Sequence, residues 1–242
     1  MEIVSGIEIV DLCLYVKEFR TLIVSDTHIG YEEALNKKGI LVPRMQFKDT
    51  LERFELIFSL LKKKKYVVDQ IVINGDLKHE FGRISETEWR HTLKLLDYFA
   101  GFTKNIVLVK GNHDTFLKPI AEKRPFVSFV DHVRLGGILV LHGDVVKEKL
   151  IDKTVDVIII GHEHCAISIT SWPRTEKFKC FLLGKFKRKK LIAMPSFNLV
   201  VEGTDVLKEK LLSPFLKKVL DFNAFVVSDE EVLDFGKLKK LR

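Results

Sequence analysis

Gly111-Asn112-His113-Asp114 sets an amide, an imidazole and a carboxylate side by side, one residue after the apolar run Asn105-Ile106-Val107-Leu108-Val109. Such a run reads as a buried strand, and a glycine there lets the backbone turn sharply as the strand ends. Together the three polar side chains can ligate a metal, move a proton and orient the imidazole. Four more stretches have the same build: Asp26-Thr27-His28, Gly75-Asp76, His142-Gly143-Asp144 and Gly161-His162-Glu163-His164 each close an apolar run. Asp26 and His28, two apart on an extended segment, are expected to face one way, as are His162 and His164. Asp76 has two oxygens with which to bridge a pair of ions, Asn112 adds a neutral oxygen and His142 another imidazole. Imidazole, carboxylate and amide without thiolate suit Mn, Fe, Zn, Co or Ni rather than a structural zinc. Seven such donors are too many for one ion once water has its place, and suit two ions roughly 3.5–4 Å apart. A pair of that kind yields hydroxide at neutral pH and clamps the oxygens of a phosphate, the chemistry of phosphate-ester hydrolysis.

Side chains this distant in sequence meet only if their strands lie together with the carboxyl ends at one edge, where ligands gather in an αβ sheet. The rest of the chain reads accordingly. Ile7 to Val16 is an opening strand or hairpin arm, and Leu22 to Ser25 the first buried strand. A short helical piece at Tyr31–Asn36 sits in a long polar stretch that can serve as a substrate wall. Phe47, Leu51, Phe54, Phe58 and Leu61 mark an amphipathic helix over Met45 to Lys63. Ser85 with Glu88 has the spacing of a capping box and opens a helix to Tyr98. Strand, helix, strand, helix, strand implies parallel pairing. After Asp114 strands dominate, at 127–130, 138–141, 157–160, 166–170, 179–183, 190–194, 224–227 and 232–235, with short helical pieces near 116–121 and 147–150. One domain, residues 1–242, of α/β class with two packed sheets and helices outside accommodates this order.

The 242 residues are 46% hydrophobic, which suits a globular chain with a sizeable core. No apolar run approaches the roughly 20 residues needed to span a bilayer. The start lacks the basic-then-apolar order of a signal peptide, so a cytoplasmic location with no membrane partner is expected. Cys13, Cys165 and Cys180 are scattered, which argues against disulfides and thiolate zinc. The net charge of +7 favours polyanionic partners such as nucleic acid. Lysines cluster at 62–65, at 185–190 and from Lys237 to Arg242; solvated helix ends and strand edges are the alternative reading. Arg44 and Arg83 could pair with a phosphate bidentately or form surface ion pairs. His79 is a candidate substrate contact. Glu163, between two ligands, should point away from the ions. Five of the eight histidines fall in the ordered motifs, which speaks for metal rather than chance.

The ordered series Asp26-x-His28, Gly75-Asp76, Gly111-Asn112-His113-Asp114, His142-Gly143 and Gly161-His162-x-His164 resembles the calcineurin-like metallophosphoesterase superfamily. The stretch 25–44, with Gly-Ile-Leu-Val-Pro at 39–43, is similar to its small archaeal and DNA-ligase-associated branches. The resemblance implies a four-layer αββα fold, a two-sheet β-sandwich flanked by α-helices. It implies one metal on Asp26, His28 and His164 and a second on Asn112, His142 and His162, with Asp76 shared. His113 would be the general acid, Asp114 would orient it, and a metal-bridging hydroxide would attack. The expected activity is phosphodiester or nuclease-type hydrolysis with two divalent ions, manganese first among them, acting on nucleic acid or nucleotide. A phosphomonoesterase acting on nucleotide or phosphoprotein and a non-catalytic scaffold of the same fold are the alternatives.

Overall fold

The computed structural model describes residues 1–228 and 231–241. Seven strands form the first sheet in chain order: β1 (Glu2–Val4), β2 (Ile7–Val10), β3 (Cys13–Val16), β4 (Thr21–Val24), β5 (Gln70–Asn74), β6 (Ile106–Val109) and β7 (Val127–Val130). The first four are antiparallel neighbours, and β4 to β7 run parallel. The helices between the parallel strands are α1 (Tyr31–Lys37), α2 (Gln46–Lys63), α3 (Glu86–Phe99) and α4 (Lys118–Ala121). Ser85 caps α3 and the reciprocal bond from Glu88 is present, so the capping box expected from the spacing exists.

The second sheet holds β8 (Val133–Leu135), β9 (Ile138–Val140), β10 (Val157–Ile160), β11 (Cys165–Ser171), β12 (Arg174–Phe186), β13 (Lys189–Ala193), β14 (Thr204–Asp205), β15 (Asn223–Val227) and β16 (Val232–Lys237). β10 lies parallel to both β9 and β13. β12 is thirteen residues long, where the sequence suggests only 179–183. Its first half is the exposed, charged arm of a hairpin with β11, which carries no apolar alternation to read.

The continuous apolar runs of this sheet follow from burial on both faces. Val157 and Ile159 pack into the core shared with the first sheet, while Ile158 and Ile160 point into a second core. That second core is covered by Val206, Phe215, Leu216, Val219, Phe222 and Leu238. Short 3-10 turns at Pro214–Leu216, Val219–Asp221 and Leu238–Lys240 supply part of this outer layer, whereas α2 and α3 pack on the first core. The two sheets flanked by helices match the expected fold class. The basic cluster expected at 237–242 ends in Arg242, which lies outside the described residues. Cys13, Cys165 and Cys180 are free and buried. Among the described residues no helix is long and apolar enough to cross a membrane.

Glu8 on β2 is the polar anchor of the opening hairpin. It is 6% exposed, and its carboxylate receives Lys64 and the Tyr66 hydroxyl at 2.7 Å, with Lys17 at 3.6 Å. Burial opposes its charge, but these partners outweigh that and hold its carboxyl down at about 2. Glu8→Gln is therefore expected to cost about 1–3 kcal/mol at pH 7. A depressed carboxyl stabilises fully above its unfolded value of about 4.3, and the contribution fades as pH falls toward the folded value. Urea melts at pH 7 and pH 3 check this: the gap between variant and wild type should shrink at the lower pH.

Candidate metal centre

β4, β5 and β6 end at one edge of the first sheet, and β9 and β10 end facing it from the second. The loops after them are knitted by backbone bonds: Asp26 N to Gly75 O at 3.1 Å and His28 N to Asp76 O at 2.9 Å. His162 N donates to Asp26 Oδ2 at 3.0 Å, which ties the two sheets together at the edge.

The backbone here is not extended. Asp26, His28, Asp76, His162 and His164 all have positive φ, between 44° and 66°. Asp26 and His28 do converge, but through left-handed turns after the strand has ended, not through strand alternation, whereas His162 and His164 enter different donor groups. Left-handed backbone at non-glycine residues costs of order 1–3 kcal/mol each and persists only where the surroundings impose it. Gly75 also has positive φ, and a Cβ on it would run into the His142 ring. Gly111 is different. Its φ is not left-handed, and its need is close approach, since a Cβ there would strike the Asp76 carboxylate.

The side chains form two sets. In the first, His28 Nε2 and His164 Nε2 are 3.0 Å apart, Asp26 Oδ1 is 3.5 Å from His164 Nε2, and Asp76 Oδ2 is 3.7 Å from His28 Nε2. In the second, His142 Nε2 lies 2.9 Å from Asn112 Oδ1, 3.2 Å from His162 Nδ1 and 3.3 Å from the same Asp76 Oδ2. Donors bound to one ion at roughly 2.1 Å stand about 3.0–3.5 Å from one another, and these atoms lie 2.9–3.7 Å apart, close to that spacing. His142 Nδ1 donates to Asn74 O at 3.3 Å, a bond that leaves Nε2 free to ligate.

The field of the site also fits cations. Burial works against charge on Asp26 and Asp76, yet the imidazoles around them outweigh it and hold both carboxyls below their usual range. Burial likewise opposes a proton on His142, but Asp76 and Asp26 overcome it and raise the imidazole to about 10. A field that holds a proton this tightly would hold a divalent ion in its place. Burial drives His28 well below its ordinary value, so it presents a neutral nitrogen. Asp144, half-buried, adds negative charge near His142 and His162.

His113 and Asp114 part company. His113 Nδ1 donates to the His79 carbonyl, and its Nε2 faces the cluster, 4.0 Å from Asp76 Oδ2. Asp114 does not orient it directly, contrary to expectation. Its carboxylate instead accepts from Leu77 N at 3.1 Å and Gly111 N at 3.0 Å, clamping the two loops that carry Asp76 and Asn112. Burial, then the charge of Asp76, push this carboxyl up to about 7. Imidazole nitrogens of a third grouping, His28, His79 and His113, also lie within 4.8 Å of one another.

The expected substrate contacts fare unevenly. His79 stands behind His28, Nδ1 to Nδ1 at 3.3 Å, so it meets the far nitrogen of that ring. Arg83 is 69% exposed and pairs with Glu80 at 3.2 Å, the surface ion pair that was the alternative. Arg44 is exposed in the loop before α2. Glu163 turns away, accepting from Leu212 N and Ser213 N at 2.8 and 2.7 Å. Sequence reasoning missed Phe81, an exposed ring 4.0 Å from that of His113. It also missed that Lys177 and Val200 to Gly203 join Tyr31, in the stretch expected as a substrate wall, around a cleft of about 660 Å³ beside His164. A strand lysine and a helix-start tyrosine carry no motif; only their place marks them.

Comparison with known proteins bears on the fold and the family. A nuclease, MPE, from Pseudomonas putida superposes with a TM-score of 0.62 at 18% identity, over 94% of this chain and 93% of that one, which shows a shared fold. Yfce, a phosphoesterase from E. coli, is 13% identical over 90% of this chain and 98% of its own, at a TM-score of 0.44. No curated protein sequence matches the chain. The family model for calcineurin-like phosphoesterases matches residues 19–147. That stretch is more than half of the 242 residues and delivers every converging side chain but His162 and His164, and the chain belongs to the calcineurin-like phosphoesterase family.

Proposed function

We propose that this protein hydrolyses phosphate diesters, nucleic-acid strands foremost, at a centre of two divalent ions, with residues 1–242 acting as one domain. The observation that carries the reading is Asp76 Oδ2, which stands in both donor sets at once. Asp26, His28 and His164 would hold one ion and Asn112, His142 and His162 the other, with Asp76 between them. When bound, such a pair lowers the pKa of a shared water and neutralises charge on the phosphate. His113 Nε2, turned toward the cluster but outside both sets, gives its proton to the leaving oxygen as the P–O bond breaks. Tyr31 and Lys177 wall the space beside His164 where a substituent of the phosphate fits.

A second cleft supports nucleic acid as the substrate. Lys185, Lys187, Lys190, Lys217, Lys218 and Lys237 line a space of about 750 Å³, with Asp221 as the acidic member among the described lining residues and Lys187 paired with Glu148. Lys185 and Lys190 are direct cross-strand partners between β12 and β13. Like charges so placed are destabilising, and a phosphate chain across them relieves the repulsion. Lys190 sits at the start of β13, opposite Val157, so this cleft is at the far end of the sheet from His162 and His164.

The test is to strip the protein with chelator, reload it with Mn, Fe, Zn, Ni or Co, and measure bound metal and hydrolysis together. Two ions per chain are expected. Bis-p-nitrophenyl phosphate and short oligonucleotides should turn over faster than p-nitrophenyl phosphate, manganese being the most effective. A single ion per chain, a preference for the monoester, or full loading with no turnover of any ester would each contradict the reading.

A further inference from the structure

We propose that two buried side chains, Lys78 and Glu88, position His113 for proton transfer. The inference rests on the acid role given to His113 above. Lys78 has no exposed surface. Lysine is almost never buried so completely unless its charge is met by a carboxylate. Here Nζ makes its hydrogen bonds to backbone, donating to the His113 carbonyl at 2.7 Å and to the Glu80 carbonyl, while the carboxylates of Glu88, Asp114, Asp76 and Glu80 favour its charge without bonding to it. Glu88 is equally buried and also serves the backbone. Its Oε1 accepts from His79 N at 3.0 Å and Glu80 N at 2.6 Å, and its Oε2 from Ser85 N at 2.8 Å. A carboxylate taking three amide bonds makes strong, charge-assisted contacts. Gly30 lets it lie there, because a Cβ on that glycine would run into the Glu88 side chain.

These bonds meet in residues 78–80, the segment against which His113 is fixed. The imidazole Nδ1–H is held by the His79 carbonyl, and the amide N–H of His79 by Glu88. The backbone of His113 is gripped at both ends, its N–H by Asp76 Oδ1 at 2.8 Å and its carbonyl by Lys78. Ring and backbone are thereby fixed independently, and Nε2 is the one nitrogen left to work. When the P–O bond breaks, the leaving oxygen keeps the electron pair and takes the Nε2 proton. Nδ1 retains its own proton, held on the His79 carbonyl. The capping-box role of Glu88 explains its presence at the start of α3 but not its bonds to His79 and Glu80.

The experiment compares Lys78→Met, Glu88→Gln and His113→Ala on two methyl aryl phosphates, one with a p-nitrophenolate leaving group and one with phenolate, in manganese-loaded protein. Lys78→Met is expected to lower kcat about tenfold or more on the phenyl ester, where the acid is needed, and much less on the p-nitrophenyl ester. The double variant with His113→Ala should be no slower than His113→Ala alone, because the acid that Lys78 serves is gone. Should Lys78→Met fail to fold, Glu88→Gln carries the same comparison, since an amide cannot accept all three N–H bonds. Equal losses on both esters, additive losses in the double variant, or no loss would overturn the positioning role. If His113→Ala itself ignores the leaving group, the acid assignment fails first, a distinct outcome read from that single variant.

Discussion

Asp76→Asn is expected to lower hydrolysis of bis-p-nitrophenyl phosphate on the order of 10³-fold or more and to cut bound metal below two ions per chain. This side chain has several duties at once. Its Oδ2 is 3.7 Å from His28 Nε2 and 3.3 Å from His142 Nε2, so it belongs to both donor sets, and its Oδ1 accepts the His113 amide at 2.8 Å. An asparagine has one oxygen and no charge. If that oxygen faces the donors, the amide of His113 meets an NH₂; if it faces His113, the donors do. The charge lost in either case also weakens the field that raises His142 to about 10. Elemental analysis and kcat on the same sample decide the matter. Full metal content with activity within a few-fold of wild type would remove Asp76 from the centre of the mechanism.

His113→Ala carries the second large effect, and its pattern differs. The loss should reach about 10² to 10⁴ on an ester with a poor leaving group and be smaller on one whose leaving oxygen needs no proton. Bound metal should stay at the wild-type level, because His113 Nε2 lies 4.0 Å from Asp76 Oδ2 and Nδ1 is committed to the His79 carbonyl. The contrast with Asp76→Asn, where metal and rate fall together, separates a proton donor from a ligand. Metal lost from His113→Ala would instead mean that His28, His79 and His113 form a true site.

These expectations divide into those legible in the chain and those that were not. The donor residues could be named because each closes an apolar run, and a buried strand ending in Asp, His or Asn says where that side chain must emerge. The helix from Ser85 was legible for the same local reason, its cap and its Glu88 being three residues apart. The second job of Glu88 was not, since His79 and Glu80 meet it only after the loop before α3 folds back. Asp114 was misjudged through proximity. Adjacent residues on a tight turn point apart, and its partners are Leu77 and Gly111.

By itself, then, the sequence determined which side chains could gather, in what order and at which strand ends, together with the α/β class and the family. Those depend on residue type, apolar periodicity and spacing, all local in the chain. Tertiary structure alone decided that Asp114 serves Leu77 and Gly111 rather than His113, that five residues of the site adopt left-handed backbone, that Lys78 donates to the carbonyls of His113 and Glu80, and that six lysines line one cleft. Most of these depend on distances between segments tens of residues apart. Such distances are set by how two sheets pack, and no single stretch of sequence encodes them.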